Sequence, residues 1–250
     1  MADTDYVIET ADLTKVYKRG NVLAVNKLNL HIKKGEIYAL IGANGSGKTT
    51  TINMLTGALY PTSGSVKILN YSIPKERKKV ARHIGVAPQE YSVYLDLTVK
   101  ENIAFFANIY GMPPENFEKR LFHLLGILRL EEKADVLAKD LSGGMKRRLS
   151  IACALIHDPQ IVFFDEATVG VDPVLRLFFW DYFRKLRDNG KTIIITSHVM
   201  DEAERADRIG LMREGILIDE GEPSALKAKY EVDTIEEVFL KVSYKVKNNE

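Results

Sequence analysis

Gly42-Ala43-Asn44-Gly45-Ser46-Gly47-Lys48-Thr49 fits the pattern G-x-x-x-x-G-K-[ST], a loop that wraps phosphate groups. Ahead of it, Glu36-Ile37-Tyr38-Ala39-Leu40-Ile41 is an apolar run of buried-strand length. After it, residues 50–59 have helical composition, with Ile52, Leu55 and Leu59 on one face. Strand, glycine turn and helix, in that order, are the setting the pattern requires. Glycine lets the backbone curl until successive N–H groups face one concavity. The helix N-terminus adds partial positive charge beneath bound phosphates. Lys48 is then placed to reach the β- and γ-phosphates, and the Thr49 hydroxyl to bind Mg²⁺. The expected fold class is α/β with a P-loop core.

Composition narrows the setting. The 250 residues, 46% of them hydrophobic, are enough to bury a full core. Lys+Arg is 35 and Asp+Glu is 34, so no basic field points to nucleic acid and no acidic tail is present. Cys153 is the single cysteine, which excludes an internal disulfide and a multi-cysteine zinc site. The polar start Met1-Ala2-Asp3-Thr4-Asp5 does not read as a signal peptide. No apolar run approaches the roughly 18 residues of a membrane span, so the chain is expected to be soluble by itself.

Outward from the loop, residues 7–10 and 29–32 read as short strands, and Lys33-Lys34-Gly35 as a turn. Pro61-Thr62-Ser63-Gly64 is expected to close the P-loop helix and lead to a strand over 65–69, with another at 84–87 before Pro88-Gln89. The texture then turns helical. Thr98-x-x-Glu101 is a capping box for a helix through Tyr110, which Gly111 and Pro113-Pro114 stop. Residues 115–130 carry Phe117, Leu121, Leu124, Leu125 and Leu128 at helical spacing. Residues 98–157 therefore read as a helical insertion between strands of the core. Strand character returns at Ile161-Val162-Phe163-Phe164. Asp172-Pro173 starts a helix, with Asp as N-cap and Pro at N1, and Gly190 ends it. Residues 192–196 form a β-branched strand, and 209–212 with 216–219 a hairpin around Glu214-Gly215. Thr234-x-x-Glu237 caps a last helix, in a C-terminal tail over 222–250 whose final residues, from 245, are expected to fray.

Two further stretches carry chemistry. Asp165-Glu166 ends the apolar run 161–164. A carboxylate at the tip of a buried strand beside a P-loop can hold Mg²⁺, and strand alternation is expected to point Glu166 away from Asp165, where it could polarise a water. Taken alone, an Asp-Glu pair reads first as a solvated strand end. Leu141-Ser142-Gly143-Gly144-Met145-Lys146 opens a helix whose buried face includes Leu149, Ala152 and Ile156. Its unpaired N–H groups could receive an anion, or Ser142 could be a plain N-cap.

Together these stretches resemble the nucleotide-binding subunit of ATP-binding cassette transporters. That family shows an aromatic residue, Walker A, a glutamine loop, an LSGG signature, Walker B with a glutamate, an aspartate loop and a switch histidine. This chain offers Tyr17, residues 42–49, Gln89, residues 141–144, Asp165-Glu166, Asp172 and His198 in that order. The match runs from about residue 7 to about residue 221, inside one nucleotide-binding domain over 1–250 with an antiparallel β portion. The resemblance implies ATP and Mg²⁺ as ligands. Tyr17 would stack on adenine, its alternative being a strand-end packing aromatic. Gly42, Asn44, Gly45, Ser46, Gly47, Lys48, Thr49 and Thr50 would hold the phosphates. Thr49, Gln89 and Asp165 would hold the metal, with Gln89 also sensing the attacking water. Glu166, His198, Gln89 and Lys48 would be catalytic, His198 bonding the γ-phosphate. Ser142, Gly143, Gly144 and Asp172 would act across a dimer. His31, His83, His123 and His157 match no motif and read as surface or packing residues.

Met145, Ala167 and Val169-Gly170-Val171 depart from the commonest family pattern, and none of them replaces a phosphate or metal ligand. The Met145-Lys146-Arg147-Arg148 continuation resembles the branch that exports drugs, sodium and polysaccharides. The resemblance implies a second cassette, with a homodimer expected, and separate integral membrane permease subunits. It implies no nucleic acid, and a place on the cytoplasmic face of a membrane. An importer ATPase is a second reading, and a soluble cassette protein of DNA repair or translation a third. The latter would bring coiled coils, zinc cysteines or two cassettes. A P-loop kinase is a fourth reading, opposed by the LSGG and Asp165-Glu166 combination.

Overall fold

A computed structural model describes residues 6–168 and 171–247. Residues 1–5, Val169 and Gly170 before Asp172, and the last three residues of the tail lie outside the described residues. β1 (Tyr6–Tyr17), β2 (Val22–Leu28) and β3 (His31–Lys33) open a first sheet, and β4 (Ile37–Ile41) enters a second and runs into α1 (Lys48–Leu55). β5 (Ser63–Ile68) and β6 (Tyr71–Ile73) complete the first sheet, before α2 (Arg77–Val80) and β7 (Ile84–Ala87). α3 (Val99–Ile109), α4 (Pro114–Leu128) and α5 (Gly143–Leu155) then separate β7 from β8 (Ile161–Asp165). α6 (Pro173–Asp188), β9 (Thr192–Ser197), α7 (Met200–Ala203), β10 (Arg208–Arg213), β11 (Ile216–Gly221), α8 (Pro223–Tyr230) and α9 (Ile235–Lys247) follow. The first sheet is antiparallel in the order β2-β1-β5-β6, with β3 also on β1. The second runs β11-β10-β4-β9-β8-β7 and is parallel apart from β11.

The central strands are buried on both faces, which is why they read as continuous apolar runs. Successive side chains point to opposite sides. Ile37, Ala39, Ile41, Val162, Phe164, Ile193 and Ile195 join one core, with Ile103 of α3, Leu149 and Ile151 of α5, and Phe179 and Phe183 of α6. Tyr38, Leu40, Ile161, Phe163 and Ile194 join a second core, with Ile52 and Leu55 of α1 and with Ile8, Leu13 and Val66 of the antiparallel sheet. One sheet thus separates two cores, and α1 is fixed on the face opposite α5 and α6.

Most expected elements are present, with differences at their limits. β1 spans 12 residues rather than four, and β2 was not marked at all. β1 shifts register against each of β2, β3 and β5, and Asp12 takes φ +47, so its outer half carries mixed polar and apolar residues without clean alternation. α1 stops at Leu55 instead of running to residue 59. Thr56 is its C-cap, and Gly57 takes the left-handed turn with its N–H donated to Met54 O at 3.2 Å. Pro61-Thr62 therefore follows the helix end rather than causing it. β5 begins at Ser63, earlier than 65, because Gly64 can press on β1: a Cβ there would meet Asp12 O at 2.4 Å.

The capping box at α3 is formed. Glu101 N–H donates to Thr98 Oγ1 at 3.1 Å, and Thr98 N–H to Glu101 Oε2 at 2.8 Å. Asp172 caps α6 through the N–H groups of Val174 and Leu175, and Thr234 and Glu237 cap each other's backbone ahead of α9. Cys153 is buried and free, and burial pushes its thiol well above the ordinary range. No helix among the described residues is long and apolar enough to cross a membrane.

His157, just past α5, is a packing residue as expected. Its ring stacks on Tyr110 at 3.6 Å between centroids, and Nε2–H donates to Ile84 O at 3.0 Å. Burial pulls its pKa from 6.5 to about 4. Between those values the unfolded chain takes up a proton that the folded chain refuses, so stability falls as pH drops from 6.5 toward 4. His157→Phe should keep the stack and lose this dependence. Melting temperatures of both proteins across that window check it, with a shallower decline expected for the variant.

Candidate nucleotide site

The parallel register sets the site. Ile41 pairs with Ser197 and Asp165 with Thr196, so the ends of β4, β8 and β9 stand level at one rim of the sheet. Ligands of open α/β sheets collect beyond such carboxyl ends. From this rim emerge the glycine loop, the Asp165-Glu166 pair and the Ser197-His198 pair.

The loop is held by Gly42 N–H to Ser197 O at 3.3 Å and Ser46 N–H to Ala43 O at 3.1 Å. Gly47 has φ +106, and a Cβ there would meet Ala24 O at 2.4 Å, so only glycine fits. The first bond of α1 is Thr51 N–H to Gly47 O at 2.9 Å. The N–H groups before it belong to the unpaired helix terminus. Lys48 is only 4% exposed. Its Nζ donates to Gly42 O at 2.8 Å and Ala43 O at 3.1 Å, and lies 3.9 Å from Glu166 Oε1. Burial lowers the Lys48 pKa, opposed by the charges of Glu166 and Asp165.

Asp165 Oδ1 accepts from Thr49 Oγ1 at 3.3 Å and from Thr196 Oγ1 at closer range. Glu166 leaves the strand differently from the expected alternation. β8 ends at Asp165, and Glu166 takes φ +51, its N–H donating to Thr196 O at 3.1 Å and Thr196 Oγ1 at 3.0 Å. The left-handed turn, not pleating, sends the two carboxylates to different partners. Glu166 Oε2 accepts from Gln89 Nε2 at 2.9 Å, and Oε1 lies 3.5 Å from His198 Nδ1. Tyr17 is 39% exposed at the end of β1, its hydroxyl 3.3 Å from Thr50 Oγ1.

Tyr17, Asn44, Gly45, Lys48, Thr49, Thr50, Gln89 and Glu166 line one cleft of about 600 Å³, completed by Val22, Leu23, Ala24 and Glu214. The signature segment stands elsewhere. Ser142 caps α5 by accepting from Met145 N–H at 3.3 Å, and Gly143, Gly144 and Asp172 line a second cleft of about 300 Å³ with Tyr91 and Leu175. The sequence-marked residues therefore divide into two groups on one chain. Beside the second, Glu202 accepts from Thr168 Oγ1, and its Oε1 lies 3.1 Å from Arg176 Nε, joining α7 to the start of α6.

The first cleft suits a magnesium nucleotide. Ser46 is buried within the loop, and its hydroxyl has no hydrogen-bond partner. Thr49, Asp165 and Gln89 supply oxygens, the donors a hard cation takes. Among the described residues no cluster of three or more His, Cys, Asp or Glu could cage a metal. Mg²⁺ is bound by one or two carboxylates together with substrate phosphates, and Asp165 beside Thr49 offers such a carboxylate.

Sequence reasoning did not mark Thr196 or the wall from β2. Thr196 bonds both Asp165 and the Glu166 backbone, and the signal was available in the pairing of two buried strands that end together. The β2 wall needed β2 itself.

Residues 25–169 match the family described as ABC transporter. The chain belongs to that family. It is an ABC ATPase cassette. It is 39% identical over 241 residues to YbhF, a probable multidrug ABC transporter ATP-binding protein of Escherichia coli strain K12, covering 94% of this chain and 41% of the relative. It is 43% identical over 217 residues to the Nod factor export ATP-binding protein I of Burkholderia orbicola, covering 86% of this chain and 71% of the relative. The chain thus spans less than half of the first relative's length. A solved dimeric ATP-binding cassette, in a post-hydrolysis state with ADP and Pi, superposes with a TM-score of 0.80 at 30% identity, covering 86% of this chain and 98% of the other.

Thr196→Val should strip a buried hydroxyl from both Asp165 and the Glu166 N–H without changing the side chain's shape. Leaving those groups short of a partner should cost about 1–3 kcal/mol. Urea denaturation checks it, the midpoint moving down at unchanged slope.

Proposed function

We propose that this cassette powers export through separate membrane subunits, hydrolysing ATP at a site shared between two copies. The observation that carries the reading is the division of the motif residues. Lys48, Gln89 and Glu166 line one cleft, with His198 beside Glu166, and Gly143, Gly144 and Asp172 line another, next to the Ser142 cap. Two chains placed head to tail would bring each signature onto the other's P-loop, an isologous arrangement. The dimeric cassette of the same fold supports that arrangement, and the multidrug and Nod factor relatives support export. One nucleotide-binding unit, with 98–157 as a helical insertion reaching the membrane partner and 222–250 as a tail, completes the reading. The place of action is the cytoplasmic face of the membrane.

Each side chain has a part. Lys48 and the loop N–H groups draw in the phosphates. Tyr17 covers the adenine. Thr49, Asp165 and Gln89 would hold Mg²⁺, which when bound would offset charge on the phosphates. Glu166 accepts the proton of the attacking water, and His198, 3.5 Å away, steadies the γ-phosphate and the glutamate together. Ser142 and the two glycines of the partner chain close the lid. ATP then acts as glue between the chains, and its hydrolysis releases them.

Glu166→Gln preserves shape and removes the base. Hydrolysis should fall while ATP binding persists, so size-exclusion chromatography with ATP and Mg²⁺ should show a longer-lived dimer. A variant that turns over at the wild-type rate would remove Glu166 from this role. Lys48→Ala should instead weaken binding of a fluorescent ATP analogue, and an unchanged affinity would reject the P-loop assignment.

Sharing of the site has its own test. In a Glu166→Gln background, Lys48→Ala goes into one pool and Ser142→Arg into another. Each homodimer has two spoiled sites, but the mixed dimer regains one that pairs an intact Lys48 with an intact Ser142. The mixture should close on ATP better than either pool. With subunit exchange verified, a mixture that merely averages the pools would reject the shared site.

A further inference from the structure

The Met145-Lys146-Arg147-Arg148 continuation runs on from the Ser142 cap, with Arg147 on the wall of the second cleft, and its two arginines behave differently. Arg148 Nη1 donates to the carbonyls of Leu128 and Arg129 at 3.2 and 3.3 Å, which ties down the end of α4. Arg147 points the other way. It is only 6% exposed, and its guanidinium spans the glutamine loop: Nη1 donates to Pro88 O at 2.8 Å and Nη2 to Gln89 O at 2.9 Å. The same group lies 5.2 Å from the centre of the Tyr91 ring. A charge this deeply placed needs good partners to offset its lost hydration. Arg147 has two carbonyls in a fork and an aromatic face, an arrangement that the single ammonium of lysine could not reproduce.

The consequence lies one residue further on. The backbone that Arg147 grips belongs to Gln89, whose side chain donates to Glu166 Oε2 at 2.9 Å. Arg147 itself rides in the first turns of α5, whose N-cap is Ser142. An unbroken series of bonds therefore runs from the signature helix, through Arg147 and the Gln89 carbonyl, to Gln89 Nε2 and the carboxylate of Glu166.

We propose that Arg147 is a positioning residue for ATP hydrolysis, fixing the glutamine loop so that Gln89 orients Glu166, and coupling the signature helix of a chain to that chain's own hydrolytic centre. This rests on the roles read above for Glu166 and Gln89. In a head-to-tail pair the signature helix covers the nucleotide held by the partner. Arg147 then makes each carboxylate responsive to occupancy of the other site, and the two hydrolysis events depend on each other.

The test uses the full chain with Mg-ATP and compares Arg147→Met, Arg147→Lys, Gln89→Ala and the Arg147→Met/Gln89→Ala pair. Equilibrium binding of a fluorescent ATP analogue and the thermal midpoint accompany kcat and KM. Arg147→Met should lower kcat by about 10- to 100-fold, the range expected when a reacting group is slightly misplaced, with analogue affinity near wild type. Arg147→Lys, retaining the charge but not the planar two-nitrogen fork, should recover part of the rate. The double variant should be no slower than Gln89→Ala alone, because a residue acting through Gln89 has nothing left to position. A destabilised fold would not give that non-additivity. Should Arg147→Met not fold, the cycle is run with Arg147→Lys. Wild-type kcat in either folded arginine variant, or rate losses that multiply in the double variant, would overturn the proposal. Wild-type turnover in Glu166→Gln or Gln89→Ala would instead overturn the underlying site reading, so the two failures are distinguishable.

Discussion

Parallel pairing of β4, β9 and β8 in a common register is the constraint on which the rest depends. Because Ile41 lies against Ser197 and Thr196 against Asp165, three chain segments leave the sheet side by side. Each then turns by a different local device: a glycine loop after β4, a left-handed residue after β8, and a short loop carrying His198 after β9. A one-residue slip of β8 would invert every side chain of the strand and place Asp165 on the wrong face. Such a slip is opposed by the two cores, since Phe163 and Phe164 are fully buried on opposite sides. Packing far from the rim thereby fixes carboxylates at the rim to within a hydrogen-bond length.

The rim also concentrates charge in the interior. Lys48, Asp165, Glu166 and Arg147 are all buried. Each would be costly alone. None is alone: Lys48 has two carbonyls and lies near Glu166, Asp165 has two threonines, Glu166 has Gln89 and His198, and Arg147 has two carbonyls and a tyrosine ring. Poorly hydrated charges held by fixed dipoles need little rearrangement when a phosphate arrives, which is how a preorganised site stabilises charge as it develops. The polar network is therefore a demand on folding and, in the reading proposed above, the source of the chemistry.

Where sequence and structure agree, the reason is local. The strand before the P-loop, the capping box at Thr98, the Asp172-Pro173 start and the hairpin at Glu214-Gly215 are each decided by neighbouring residues, and each is present. The misses come from non-local causes. β2 has no clean alternation, because it exists as the partner of β1, and β1's outer half is bent by a register shift that only pairing reveals. The early end of α1 depends on Gly57, next to a threonine that reads equally well as helix. In the site, motif spacing marked side chains that gather at the rim of the parallel sheet and in the two clefts. It was silent on Thr196 and Arg147, which touch the site through backbone groups or through another side chain. Contacts to carbonyls carry no residue-type signature on the accepting side.

The left-handed backbone at Glu166 has a consequence for how such a site decays over evolutionary time. A φ of +51° is unfavourable for most side chains but mild for asparagine, aspartate and glycine. Substitutions toward those three would relax the turn while shortening or removing the carboxylate arm. Loss of the base proposed above is thus coupled to a gain in backbone comfort, and a cassette released from selection for turnover should drift toward them. Valine and isoleucine, strained in that conformation, should be the last residues to appear there. Under the base role proposed for Glu166, a glutamate at φ +51° sets function against backbone comfort at a single residue.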